Sequence, residues 1–154
     1  MLNFHYNIGT EIFFGKGQIE QLPGAIAKYA QKVLLVYGGS SIKRSGLYDQ
    51  VTQLLKNADI QVVDLPGVEP NPKIASVRQG VQLCKEHGLQ AVLGVGGGSS
   101  IDCAKAIAAG CCYDGDPWDL VCGKAPILDA LPIFSVLTLS ATGSEMDDTS
   151  VISN

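Results

Sequence analysis

Two apolar runs in this chain empty directly into clusters of glycine and serine. Lys32-Val33-Leu34-Leu35-Val36-Tyr37 leads into Gly38-Gly39-Ser40-Ser41, and Ala91-Val92-Leu93-Gly94-Val95 leads into Gly96-Gly97-Gly98-Ser99-Ser100. A run that is apolar at successive positions suits a strand covered on both faces, as in a parallel sheet. Parallel neighbours need a crossover, usually a helix. The chain supplies candidates at helical spacing: Ile19, Leu22, Ile26 and Tyr29, with Pro23 in the early turns; Leu47, Val51, Leu54 and Leu55; and Ile74, Val77, Val81 and Cys84. Further strands are expected at 60–65 and 132–138, and a further helix at 100–109. Strands alternating with helices imply an open, mostly parallel, Rossmann-like α/β sheet. Ahead of it, residues 4–14 hold two β-rich stretches around Gly9-Thr10, which predict an N-terminal β-hairpin.

Composition narrows the function classes. At 154 residues, 46% hydrophobic and 17% charged, the chain can bury one core and is too apolar for intrinsic disorder. A net charge of −4 and no run of Lys or Arg argue against a nucleic-acid partner. No uncharged apolar stretch approaches the ~20 residues of a membrane helix. Residues 1–20 carry His5, Glu11, Lys16 and Glu20, which leaves no secretory apolar core, so a soluble cytoplasmic protein is expected. The five cysteines include no C-x-x-C pair, and adjacent Cys111-Cys112 makes a poor disulfide, so reduced thiols are expected. His5 and His87 stand apart with no partner at ligand spacing. His87 instead suits a helix C-terminus, and no metal site is expected in this chain.

The glycine clusters carry the functional signal. In an open parallel sheet, ligands sit beyond the carboxyl ends of the strands. Gly96-Gly97-Gly98-Ser99-Ser100 would let backbone approach a phosphate there, with Ser99 or Ser100 capping the helix and its N–H groups facing the anion. The spacing from Gly94, G-x-G-x-x-S, is not the dinucleotide fingerprint, and the loop follows the third expected strand of the sheet. A tight turn would use the same glycines. After the first strand, Gly38 and Gly39 leave room and Ser40, Ser41 and Lys43 can donate to an anion. No acid stands there to reject a 2′-phosphate, which favours NADP(H) over NAD(H). Thr138-Leu139-Ser140-Ala141-Thr142-Gly143-Ser144-Glu145 either lines a polar groove or forms a helix cap, with Glu145 completing a capping box from Thr142. Asp102 and Lys105, at i,i+3, suit a surface ion pair.

With these segments in order, the sequence resembles the iron-containing alcohol dehydrogenases, in particular the butanol dehydrogenase and broad aldehyde reductase branch. The resemblance rests on residues 12–17, 36–43, 68–72, 96–105 and 138–146. It implies that Gly97, Gly98 and Ser99 bind the cofactor pyrophosphate, and that Gly38, Gly39 and Ser40 surround the adenosine ribose and its 2′-phosphate. It places Asn71 beside the cofactor, Thr138, Leu139 and Thr142 along the adenine side and groove, and Asp102 close to the nicotinamide and substrate. Such enzymes move a hydride between nicotinamide and an alcohol or aldehyde at a metal, iron or zinc, and associate through the N-terminal hairpin, so a homodimer is expected.

The family's metal ligands, one Asp and three His, belong to a C-terminal helical domain for which residues 1–154 hold no counterpart. The strand-like start at Val151-Ile152 also suggests a dinucleotide-binding domain, 1–154, truncated at its C-terminal end, and no catalytic residue is assigned within it. Where the family usually continues with Asn and small residues, Asp147-Asp148-Thr149 stands here, two acids that would either oppose phosphate binding or face solvent. The alternative is a non-catalytic nucleotide- or phosphate-binding module.

Overall fold

A computed structural model describes residues 9–154. Four strands, β1 (Lys32–Tyr37), β2 (Gln61–Leu65), β3 (Ala91–Gly96) and β4 (Ile133–Leu137), form one sheet in the order β2-β1-β3-β4, every pair parallel. The helices are α1 (Leu22–Ala27), α2 (Ser41–Arg44), α3 (Leu47–Asn57), α4 (Ile74–His87), α5 (Gly98–Cys111) and α6 (Pro117–Val121). The open parallel sheet expected from the apolar runs is therefore present.

Alternation along the two central strands divides the core. Val33, Leu35 and Tyr37 of β1, with Ala91, Leu93 and Val95 of β3, pack against α1 and α3. Leu34, Val36 and Val92 pack against α4 and α5 on the opposite face. All six residues of β3 are buried, as are five of six in β1, because each has a helical layer above and below. Helix α5 lies close on β3: a Cβ on Gly94 would meet the Cβ of Ala104 at 3.3 Å and the Ser100 carbonyl at 3.2 Å.

Several expectations need correction. The first hairpin arm, 4–8, lies outside the described residues. The second, Ile12–Phe14, carries no strand: all three side chains are exposed, Phe14 at 95%, and it joins no described sheet edge. The helix expected over 18–29 is a 3-10 turn followed by α1, which ends at Ala27. Helices α2 and α6 lay below the reach of periodicity, since four or five residues barely exceed one turn. The chain end forms no strand beyond a single parallel bridge between Lys73 and Ser153. His87 does end α4, with Gly88 following at φ 60°.

Candidate functional site

The crossover from β1 leads through α2 and α3 to one face, and that from β3 leads through α5 to the other. The carboxyl ends of adjacent β1 and β3 therefore part company, at the point in a doubly wound sheet where a crevice opens for ligands. Both glycine clusters sit there.

Helix α5 begins at Gly98, two residues before the expected start. Its N-cap is Gly97, with extended backbone (φ −87°, ψ −173°) and no side-chain cap. Neither serine caps it. Ser100 is already inside the helix and 5% exposed, because its hydroxyl fills the notch beside Gly96, where φ is +149° and a Cβ would lie 2.7 Å from Ser100 Oγ. The first amide groups of a 14-residue helix are left without a side-chain acceptor, and the helix dipole adds a positive field at that end. Added Cβ atoms at Gly97 and Gly39 would meet nothing within 4 Å, so the approach is open. An anion fits this mouth on both charge and space.

The other strand exits close around it. Gly38 is backed by the Val68 carbonyl, 3.2 Å from a would-be Cβ, and its own carbonyl accepts from Gly67 N (3.0 Å). Asn71, exposed and at φ 55°, donates its backbone N–H to Ser99 Oγ (3.3 Å) and accepts at its carbonyl from Ser153 Oγ (3.2 Å). Thr138 N–H is held by the Gly96 carbonyl (2.9 Å), and Thr142 Oγ1 stands over Gly98, 3.2 Å from where a Cβ would be. Leu139 is 66% exposed on the rim. Gly38, Gly39, Ser40, Asn71, Gly97, Gly98, Ser99, Thr138, Leu139 and Thr142 thus share one edge of the sheet.

Basic groups gather on the β1 side. Arg44 donates to Ser40 Oγ (2.6 Å), and Lys43 Nζ lies over the rings of Tyr48 (4.9 Å) and Tyr37 (5.5 Å). The nearby acid, Asp64 on β2, accepts the Tyr48 hydroxyl proton at 2.6 Å. That hydrogen bond, with burial and the carboxylate charge, holds the phenol well above its ordinary range.

Asp102, one turn into α5, forms the expected i,i+3 ion pair with Lys105, but not at the surface. Its side chain is 15% exposed and that of Lys105 12%, and the two are 3.9 Å apart. Ser144 Oγ donates to one Asp102 oxygen (2.5 Å) and Val151 N–H to the other (3.1 Å). Lys105 donates to the carbonyls of Ser144 (2.7 Å) and Asp147 (3.1 Å) and to the Asp147 carboxylate (2.9 Å). Together they clasp the 144–151 segment to α5. Asp147 is neutralised in this clasp, its pKa held below the usual carboxylate range chiefly by Lys105, while Asp148 is exposed. No capping box forms: Ser144–Met146 is a single 3-10 turn entered from Gly143 at φ 80°. The contacts of Ser144 and Asp147 with α5 were missed because they span 39–42 residues, although the i,i+3 spacing of Asp102 and Lys105 marked half of the clasp; Arg44, four residues from its partner Ser40, was within local reach but not singled out.

Among the described residues, no group of three or more His, Cys, Asp or Glu side chains could hold a metal ion. No helix there is long and apolar enough to cross a membrane.

Residues 9–154 match the family described as iron-containing alcohol dehydrogenase. NADH-dependent butanol dehydrogenase A of Clostridium acetobutylicum is 55% identical over all of this chain, which spans 40% of that relative. The NADPH-dependent aldehyde reductase YqhD of Escherichia coli is 43% identical over 99% of the chain and again 40% of its own length. The crystal structure of NADH-dependent butanol dehydrogenase A from Thermotoga maritima superposes with a TM-score of 0.94 at 50% identity, covering 99% of this chain and 38% of that one.

Proposed function

This chain belongs to the iron-containing alcohol dehydrogenase family, and we propose that residues 1–154 form the dinucleotide-binding domain of an enzyme interconverting alcohols and aldehydes. The observation that carries the proposal is the uncapped N-terminus of α5, opening between β1 and β3 with clear space over Gly97 and Gly39. In it, the amides at the start of α5 hold the pyrophosphate, Ser99 and Asn71 border it, and Thr142 closes the β4 side. Bound there, a nicotinamide cofactor supplies the hydride chemistry. The chain's own part is to bind that cofactor and fix its register on the sheet. Asp102 acts through the clasp, positioning the 144–151 segment beside the site.

The described residues do not fit the family's iron, since they hold no ligand cluster. Alcohol or aldehyde substrates are proposed by family, and relatives carry both NADH- and NADPH-dependent names. The Gly38-Gly39-Ser40 exit, with Arg44 on Ser40 and no acid from Gly38 to Arg44, supports a preference for the 2′-phosphate. The exposed Ile12–Phe14 segment supports the expected homodimer.

Calorimetric titration of the chain with NADH and NADPH tests this directly. Saturable binding, tighter for NADPH, is expected. Ser40→Asp, which sets a carboxylate against the 2′-phosphate, should weaken NADPH by about tenfold or more while sparing NADH. Failure of both dinucleotides to bind would overturn the proposal, and equal affinities would overturn the preference alone.

A further inference from the structure

Helices α4 and α5 run side by side at unusually close range. A Cβ added to Gly80 would lie 2.4 Å from Ile107 Cδ1, and one added to Gly110 would lie 2.8 Å from Val81 Cγ2. The two contacts climb in step, 80 against 107 and 81 against 110, so the next turn sets residue 84 against residue 111. Both positions are cysteine. Cys84 is 3% exposed, Cys111 is half-buried against the same apolar cluster, and the two thiols are neighbours there. This pair lies at the far end of α5 from the glycine-rich mouth, and the function proposed above makes no use of it.

We propose that Cys84 and Cys111 are a reversible dithiol–disulfide site, closed by low-molecular-weight disulfides of the glutathione class. Cys111 is the attacking group. The neighbouring Cys84 thiol favours its thiolate and Lys85 contributes a positive charge, so its pKa is lowered despite partial burial. The Cys111 thiolate attacks one sulfur of the incoming disulfide. The S–S bond breaks, one small thiol leaves and takes up a proton, and a mixed disulfide remains on Cys111. Cys84 is held protonated by the Cys111 thiolate beside it and by burial. Capping Cys111 removes this restraint, and Cys84, losing its proton to solvent, attacks Cys111 Sγ and expels the second small thiol. Two protein thiols are oxidised and one small disulfide is reduced to two thiols, a two-electron exchange. Cys112, adjacent in sequence and exposed, has its pKa raised by partial desolvation and the charge of Asp129.

The chain is equilibrated with oxidised glutathione, alkylated and mapped by mass spectrometry. Cys111, Cys112 and Cys122 share one tryptic peptide, residues 106–124, whereas Cys84 lies alone in residues 79–85, so fragmentation of the cross-linked pair assigns the bridge. The expected result is loss of two of five free thiols, a Cys84–Cys111 bridge, and full recovery with dithiothreitol. Cys84→Ala, which keeps the packing apolar, should stop at a glutathione adduct on Cys111, formed more slowly because only Lys85 remains to favour the thiolate. Cys111→Ser should abolish the bridge, and Cys112→Ser should leave it unchanged. Adducts confined to Cys112 or Cys122, a bridge from Cys84 to Cys112, or five thiols surviving the treatment would each overturn the proposal.

Discussion

Replacing Asp102 with alanine separates a positioning role from direct cofactor contact. The carboxylate accepts from Ser144 Oγ at 2.5 Å and from Val151 N–H at 3.1 Å. Hydrogen bonds to a charged group are worth about 1.5–3 kcal/mol each. The two losses are unequal. Val151 is exposed, so its amide turns to water, whereas Ser144 is 4% exposed and its hydroxyl is left without an acceptor. The Ser144 loss dominates, and Asp102→Ala should destabilise the chain by about 2–3 kcal/mol. Urea unfolding followed by circular dichroism reads this as a midpoint lowered by about 0.7–3 M, given slopes of about 1–3 kcal/mol/M. Asp102→Asn keeps an acceptor for Ser144 and should recover at least half of the loss. In a double-mutant cycle with Ser144→Ala, the pair should couple by about 1 kcal/mol or more. An Asp102→Ala chain that unfolds within about 0.5 kcal/mol of the parent, yet has lost its dinucleotide affinity, would refute the clasp and make Asp102 a direct cofactor contact.

Three further outcomes follow from the same geometry. Gly80→Ala drives a methyl into Ile107 and should cost about 1–3 kcal/mol by overpacking, seen as a lower thermal midpoint. Gly97→Ala meets no atom and should leave stability within about 0.5 kcal/mol, yet should weaken dinucleotide binding about tenfold by crowding the phosphate approach. Asp147 has its folded pKa depressed by Lys105, so its contribution to stability is present above the ordinary aspartate pKa of about 3.9 and is lost as pH falls through the lower folded value. Acid titration of stability should therefore decline less steeply in Asp147→Asn than in the parent.

What the sequence disclosed follows the range of the forces involved. The strands β1 and β3 were legible because burial on both faces writes an unbroken apolar run, and α3 and α4 because one face writes a 3.6-residue repeat. The glycine clusters, directly after those runs, marked the carboxyl ends of β1 and β3, where the cofactor is proposed to bind. The start of α5 was misplaced because a serine beside a helix suggests a cap, whereas here Ser100 fills the space that Gly96 leaves. The clasp was invisible for a different reason. Asp102 meets Ser144 and Val151 across 42 and 49 residues, and no local periodicity encodes such a contact. Thr142-Gly143-Ser144-Glu145 similarly satisfied a capping pattern, but Gly143 at φ 80° turns the chain into a brief 3-10 turn with no helix to cap.

Nine of the fourteen residues of α5 are buried, more than in any other helix here. Its central amides should therefore exchange with solvent deuterium only when the whole chain unfolds, while the 144–151 segment exchanges through small local openings. The mouth proposed to hold the cofactor phosphate is thus mounted on the element expected to exchange most slowly. A phosphate arriving there finds donors already immobilised, so little ordering entropy is left to oppose its capture.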